Sequence, residues 1–252
     1  MGKKGGRRHL KREPAPRFWP IHRKEYVWTV KPKPGPHALI RSLPLAVVVR
    51  DILGFAKTRK EAKNIISQGK ILVDGQARKE AAFPIGLMDV ISIPEAEASY
   101  RVLSHEKGFT LHPVEKEETG FKLCRIENKK VVDHGHVQLN LHDGTNKLIR
   151  VVDPKKPNED VYETLDVVKV AIPVGEITGR IKLTKNAPAL IIDGQNRGIH
   201  GKILEIEDVS EKKRRSLLTT IEDSSGKRFQ TILDFVFVVG DGGQPISFPE
   251  VK

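Results

Sequence analysis

The chain reads as an α+β protein of several small domains: a basic extended arm, a compact two-helix module with a short sheet, and two β domains. Three observations predict this. Prolines and cations crowd residues 1–41, two short helical patterns fall between residues 43 and 68, and apolar residues then alternate with a period of two to the end. The divisions are expected at 1–42, 43–94, 95–173 and 174–252, each β segment being long enough to bury a core.

The arm carries the charge. Of a net +12, residues 1–41 contribute +10 through Lys3, Lys4, Arg7, Arg8, Lys11, Arg12, Arg17, Arg23, Lys24, Lys31, Lys33 and Arg41 against Glu13 and Glu25, leaving +2 for the rest. Such an arm implies a polyanionic partner, bound through phosphate neutralisation and counterion release. Prolines at 14, 16, 20, 32, 34 and 36 block a long helix, so the arm alone is expected to be extended and poorly ordered. Phe18, Trp19, Tyr26 and Trp28 lie among the cations, able to stack on unpaired bases or to fasten the arm to the protein's own surface. Residues 26–30 read as a short strand, which favours fastening for Trp28; the sequence leaves Phe18 and Trp19 open.

The module opens with Leu45, Val48, Val49 and Ile52 at helical spacing, with Pro44 tolerable in the first turn and Gly54 as the stop. A second helix begins at Thr58, whose spacing to Glu61 is that of a capping box. Ala62, Ile65 and Ile66 fall on one face and Arg59, Lys60 and Lys63 away from it. Gly69 suits the helix end, Ile71 and Val73 alternate with Lys70 and Leu72, and Asp74-Gly75 signals a hairpin. The cations at the helix start suit phosphate, and they equally suit a solvated face on an ordinary helix. Lys57, Arg59, Lys60, Lys63, Lys70 and Arg78 form the basic edge.

The order Arg59, Ala62, Ile65-Ile66, Gly69, Ile71, Val73-Asp74-Gly75, with residues 83–86 and 88–93 after it, resembles the small RNA-binding domain named after bacterial ribosomal protein S4, over about residues 43–94. Structured RNA is the ligand such a surface implies, read by shape and phosphates more than by sequence.

Strands are expected at 100–104, 121–127, 137–141, 147–151 and 167–172, with a hairpin turn at 142–146. In the last segment, residues 189–194 and 201–206 flank a loop holding Asn196, Arg197 and Gly198, and glycines at 194, 198 and 201 suggest a backbone with positive φ. This stretch resembles the KOW module, an SH3-like barrel. Residues 217–221, 228–233 and 235–239 would complete its sheet. The run Lys212–Arg215 is basic, but Glu205, Glu207, Asp208 and Glu211 beside it favour a solvated loop.

Several classes are excluded or weakened. No eighteen-residue apolar run exists to cross a membrane as a helix, the charged start has no apolar region of a secretory signal, and Gly6 stands where myristoylation needs a hydroxyl residue. Cys124 has no cysteine partner and is expected to be a buried inert thiol. His134 and His136 would share a face in a strand, without a third ligand at suitable spacing. Nucleophile-elbow and phosphate-loop motifs are absent. Asp143 alone stands in a setting reminiscent of the catalytic aspartate of RNA uridine isomerases, which lies in a Gly-Arg-Leu-Asp segment; here the order is Leu-His-Asp-Gly-Thr, without the arginine and leucine that directly precede that aspartate, and a turn explains it better.

The order of parts, with the opening Gly-Lys-Lys-Gly-Gly-Arg-Arg-His-Leu-Lys-Arg and the later Pro-Arg-Phe-Trp-Pro-Ile-His, resembles small ribosomal subunit protein four of the eukaryotic and archaeal type across nearly the whole chain. The short stretch after the KOW-like segment points to an archaeal member. The resemblance implies a structural, cytoplasmic component of the ribosome that binds ribosomal RNA beside other ribosomal proteins, with no catalysis, cofactor, metal, membrane or small-molecule substrate. RNA contacts carry over to Lys3, Lys4, Arg7, Arg8, Lys11, Arg12, Arg17 and Trp19 of the arm and to the module's basic edge. The alternatives are a KOW-type transcription or translation factor that binds RNA reversibly, and an RNA-modifying enzyme.

Overall fold

A computed structural model describes residues 9–153, 159–207, 214–241 and 246–249. They form two compact units, one of residues 9–102 with 107–113, the other of 103–106 with the described residues from 114 onward.

In the first unit the capped helix forms over Arg59–Ser67 as its capping box predicts: Thr58 Oγ1 accepts from the Glu61 amide at 3.2 Å, and Glu61 Oε2 accepts from the Thr58 amide at 3.3 Å. Ala62 and Ile66 are buried while Arg59, Lys60 and Lys63 are exposed, which confirms the assigned apolar face. The first helix begins as Leu45–Val47 but continues as a π-helical turn over Val48–Ile52, where the Leu53 amide bonds the Val48 carbonyl five residues back at 2.9 Å. The short strands Leu72–Val73 and Gln76–Ala77 meet at Asp74 and Gly75, both with positive φ, the geometry of a tight type I′ hairpin. They lead a five-stranded sheet continued by Val90–Ile93, Ala98–His105 and Gly108–Pro113. The module's sheet therefore runs past residue 94, because Val90–Ile93 pairs antiparallel with 98–101.

The described part of the arm, 9–41, is folded, contrary to expectation. Leu10–Lys11 pairs antiparallel with Trp28–Thr29, and Ala15, Trp19 and Val30 join Leu45, Val49, Ile66 and Ile91 in one core. Two arginines replace the hydrogen bonds a helix would have supplied. Arg23 Nη1 donates to the carbonyls of Arg12, Glu13 and Ala15 at 3.1, 2.8 and 2.9 Å, and its Nη2 to Pro16 at 2.8 Å. Arg12 Nη1 donates to the His22 carbonyl at 2.7 Å. Phe18 packs edge-on to Phe109 at 5.1 Å, and a Cβ at Gly108 would lie 2.1 Å from the Phe18 carbonyl oxygen, so only glycine admits this approach.

Among its described residues the second unit holds two five-stranded antiparallel sheets. One runs Asn146–Ile149, Val137–Leu141, Phe121–Val131, Val167–Ala171, Ile177–Ile181. Its core includes Cys124, buried as expected, with Ile126, Leu139 and Val168. Pairing of Val167–Ala171 with Ile177–Ile181 carries this sheet beyond the expected boundary at 174. The other sheet runs Arg228–Ile232, Leu218–Asp223, His200–Ile206, Pro188–Ile191, Val236–Val238. Gly194 and Gly198 have the positive φ expected of them. Gly201 does not; a Cβ there would lie 2.1 Å from the Glu222 carbonyl oxygen, so its constraint is the close passage of the neighbouring strand.

Candidate nucleic-acid interface

Four exposed cations of the first unit gather at the capped helix. Lys57 precedes it, Arg59 and Lys60 occupy its first turn, and Lys63 lies one turn on, all exposed opposite the buried Ala62 and Ile66. The amphipathic pattern that seats the helix on the core therefore also aims its cations outward. The capping box fills part of the helix start. Glu61 Oε2 occupies the Lys57 and Thr58 amides, at 2.9 and 3.3 Å, and Thr58 Oγ1 the Glu61 amide. Backbone bonds from Lys57, then the Thr58 side chain and amide, hold the Glu61 carboxyl below its ordinary range, so a negative charge stays at the helix start. The exposed side-chain cations Lys57, Arg59, Lys60 and Lys63 remain open to phosphate.

Lys70 is half-buried and pairs with Glu95 at 3.0 Å, and the Arg78 guanidinium lies 4.5 Å from the Phe83 ring centroid. On the arm, Lys11 and Arg17 are exposed. Lys3, Lys4, Arg7 and Arg8 lie outside the described residues. Two site residues expected from sequence are corrected. Arg12 is buried, bonded to the His22 carbonyl and 3.7 Å from Glu25, and its guanidinium is committed to closing the arm. Trp19 is only 3% exposed and its indole donates to the Ser42 carbonyl at 2.9 Å, so its ring is core and not a base platform. The expectation for Trp28 reverses in the same way: the residue is 54% exposed. The expected strand does form at Trp28–Thr29, but period-two alternation turns Thr29 inward and Trp28 outward.

Of the run Lys212–Arg215, the two lysines lie outside the described residues. Arg214 pairs with Glu163 at 3.1 Å and Arg215 with Glu127 at 3.0 Å and Asp234 at 3.3 Å, which binds them to the second unit's own acids. His134 lies inside the turn Asp133–Gly135 and His136 directly follows it, so the two do not share a strand face; His136 Nδ1 accepts from the Val151 amide at 3.1 Å. Asp143 is buried in its hairpin, where Oδ1 accepts from the Thr145 amide at 3.0 Å and hydroxyl at 2.7 Å, and Oδ2 lies 3.3 Å from Lys122 Nζ. Burial would push its carboxyl up, but Lys122, the Thr145 bonds and His142 together hold it at about 2. The residue is a permanently charged turn anchor over the physiological range.

Sequence comparison decides the family. The model of ribosomal family S4e matches residues 96–177, that of the RS4NT domain residues 4–39, and that of the S4 domain residues 43–91. Small ribosomal subunit protein eS4 of Aeropyrum pernix is 50% identical over 251 residues, covering 99% of this chain and 98% of its own. The chain belongs to the S4e ribosomal protein family. The eS4 protein of Methanocaldococcus jannaschii is 48% identical over 245 residues, covering 96% of this S4e chain and 97% of its own. The crystal structure of 30S ribosomal protein S4e from Thermoplasma acidophilum superposes with a TM-score of 0.64 at 29% identity, over 79% of this chain and 95% of that one. The capped helix and its cations lie inside the S4-domain match, and residues 9–39 of the folded arm inside the RS4NT match.

Proposed function

We propose that this S4e chain is a structural constituent of the small ribosomal subunit that holds ribosomal RNA on the basic surface of its first unit. The observation that carries this is the full-length match to proteins named for that subunit. The outward cations Lys57, Arg59, Lys60 and Lys63 support the mode of binding: phosphates are met as charges on a rigid helix, with Lys11, Arg17, Lys70 and Arg78 adding to the field and Lys3, Lys4, Arg7 and Arg8 extending it along the arm. The second unit carries little net charge, which suits ribosomal protein neighbours better than RNA.

The working division keeps the order arm, S4-type module, central β domain and KOW-like domain, with the module's sheet extended past 94 and the central sheet through Ile181. A barrel-like closure of the last sheet is supported by its edges, since Arg228–Ile232 and Val236–Val238 stand at opposite ends of the strand order yet are joined only by the short turn Leu233–Phe235. We assign no catalysis or cofactor to the chain and place it in the cytoplasm with the ribosome. Binding of the purified chain to small-subunit ribosomal RNA, followed against salt, tests the proposal. Tight binding with a steep negative log–log slope is expected, and salt-independent binding would remove it.

A further inference from the structure

The ribbon at the base of the arm exposes an aromatic surface that the fold does not use. Leu10 pairs with Thr29 and Lys11 with Trp28. Thr29 is buried and Leu10 packs on the core, so the other pair, Lys11 and Trp28, faces out. Trp28 is 54% exposed, with His9 edge-on at 5.7 Å, and Val27 and Tyr26 beside it are 61% and 62% exposed. The Arg12 guanidinium lies 5.0 Å from the Tyr26 ring centroid, and its Nε reaches the Trp28 carbonyl at 3.4 Å. That arginine is fixed in turn by the His22 carbonyl, and the loop between the two strands is tied by Arg23. The rings therefore stand on a braced frame, and a partner has little ordering entropy to offset.

Adjacent large apolar groups left in water on so small a structure indicate a binding surface. Its surroundings choose the partner. Lys11 and Lys24 are exposed nearby in an arm of net +10; of its two acids, Glu25 lies 3.7 Å from Arg12, and Glu13 is exposed. Interleaved rings and cations fit a strand of nucleic acid whose bases are unpaired, because a π face accepts any base while the cations take the phosphates.

We propose that Trp28 and Tyr26 form a stacking platform for unpaired nucleotides of RNA, with Lys11 taking an adjacent phosphate. This rests on the RNA-binding reading above and names the form of RNA that the arm selects.

The chain reports on this directly, since its two tryptophans are the buried Trp19 and the exposed Trp28. In the unmodified full-length chain, acrylamide should quench a fraction of the fluorescence that Trp28→Phe removes. A single-stranded RNA about ten nucleotides long should quench and shield that fraction, and Trp28→Ala should weaken its binding about 5- to 150-fold. A duplex of the same sequence should not shield it. If Trp28 stays open to acrylamide in the RNA complex, or Trp28→Ala binds the single strand unchanged, the platform does not exist. Shielding only by small-subunit proteins would equally overturn it and make the surface a protein contact. Either failure leaves binding of the whole chain to small-subunit RNA intact, so it is distinct from failure of the proposed function.

Discussion

The Arg125 guanidinium donates to the Asp234 carbonyl at 2.7 Å, and this bond ties together the two sheets of the second unit. The same Nη1 reaches the Val236 carbonyl at 3.1 Å, while Nε and Nη2 hold Glu127 at 2.9 and 2.6 Å. Its side chain is 1% exposed, so removing it strands two carbonyls and a carboxylate that burial alone would push up in pKa, against the pull of Arg125 and Arg215. Arg125→Met should destabilise the second unit by about 3–5 kcal/mol in denaturant unfolding. Arg125→Lys should rescue only part, because an ammonium cannot serve four directions in one plane. A loss under about 1 kcal/mol for the methionine variant would show the bridge to be incidental.

Asp143 predicts an acid-labile contribution. Its carboxyl sits near 2 against 3.8 when unperturbed. A lowered pKa stabilises the fold above the unfolded value and loses that effect as pH falls toward the folded one. The contribution is about 2 kcal/mol, fully present above about pH 5. Asp143→Asn should therefore be less stable than the parent at neutral pH, and the difference should shrink between pH 5 and 2. A difference constant over that range would mean that Lys122 and Thr145 do not hold the charge.

Arg23 closes the arm. Arg23→Ala removes the donor from four carbonyls, and hydrogen exchange over residues 10–30 should quicken by the equivalent of about 1–3 kcal/mol, with the capped helix Arg59–Ser67 little changed. Equal loosening of both would mean that the arm and the helix open as one unit.

The outward cations predict a charge effect without a folding effect. Arg59, Lys60 and Lys63 replaced together by Ala should leave the melting temperature nearly unchanged, since Ala is the best helix former and these positions are exposed. RNA binding should weaken, with the log–log salt slope falling by about 0.7–0.9 for every phosphate that is no longer neutralised. Deleting residues 2–8 should reduce the slope in the same way through Lys3, Lys4, Arg7 and Arg8. A longer deletion would confuse the test, because Ala15 and Trp19 belong to the core.

Much of the fold is legible in the sequence where the signal is local. The capping box at Thr58 and Glu61, the Asp74-Gly75 hairpin and the period-two strands depend on neighbours within a few residues, and all are formed. What fails depends on distant partners. Prolines do forbid a long helix in the arm, but nothing local reveals that Arg23 will satisfy four carbonyls or that Ser42 will accept the Trp19 indole. Composition cannot tell Trp19 from Trp28 for the same reason: one meets the core across the chain, and the other is turned out by strand parity. Gly201 shows the limit again, since its constraint comes from the Glu222 backbone on another strand.

Whether this chain is built into the small ribosomal subunit is read from sedimentation of a cell lysate in high salt. It should migrate in stoichiometric amount with the small subunit and stay there as salt rises. Migration at the top of the gradient, free of RNA, would contradict it and return the chain to the class of exchangeable factors.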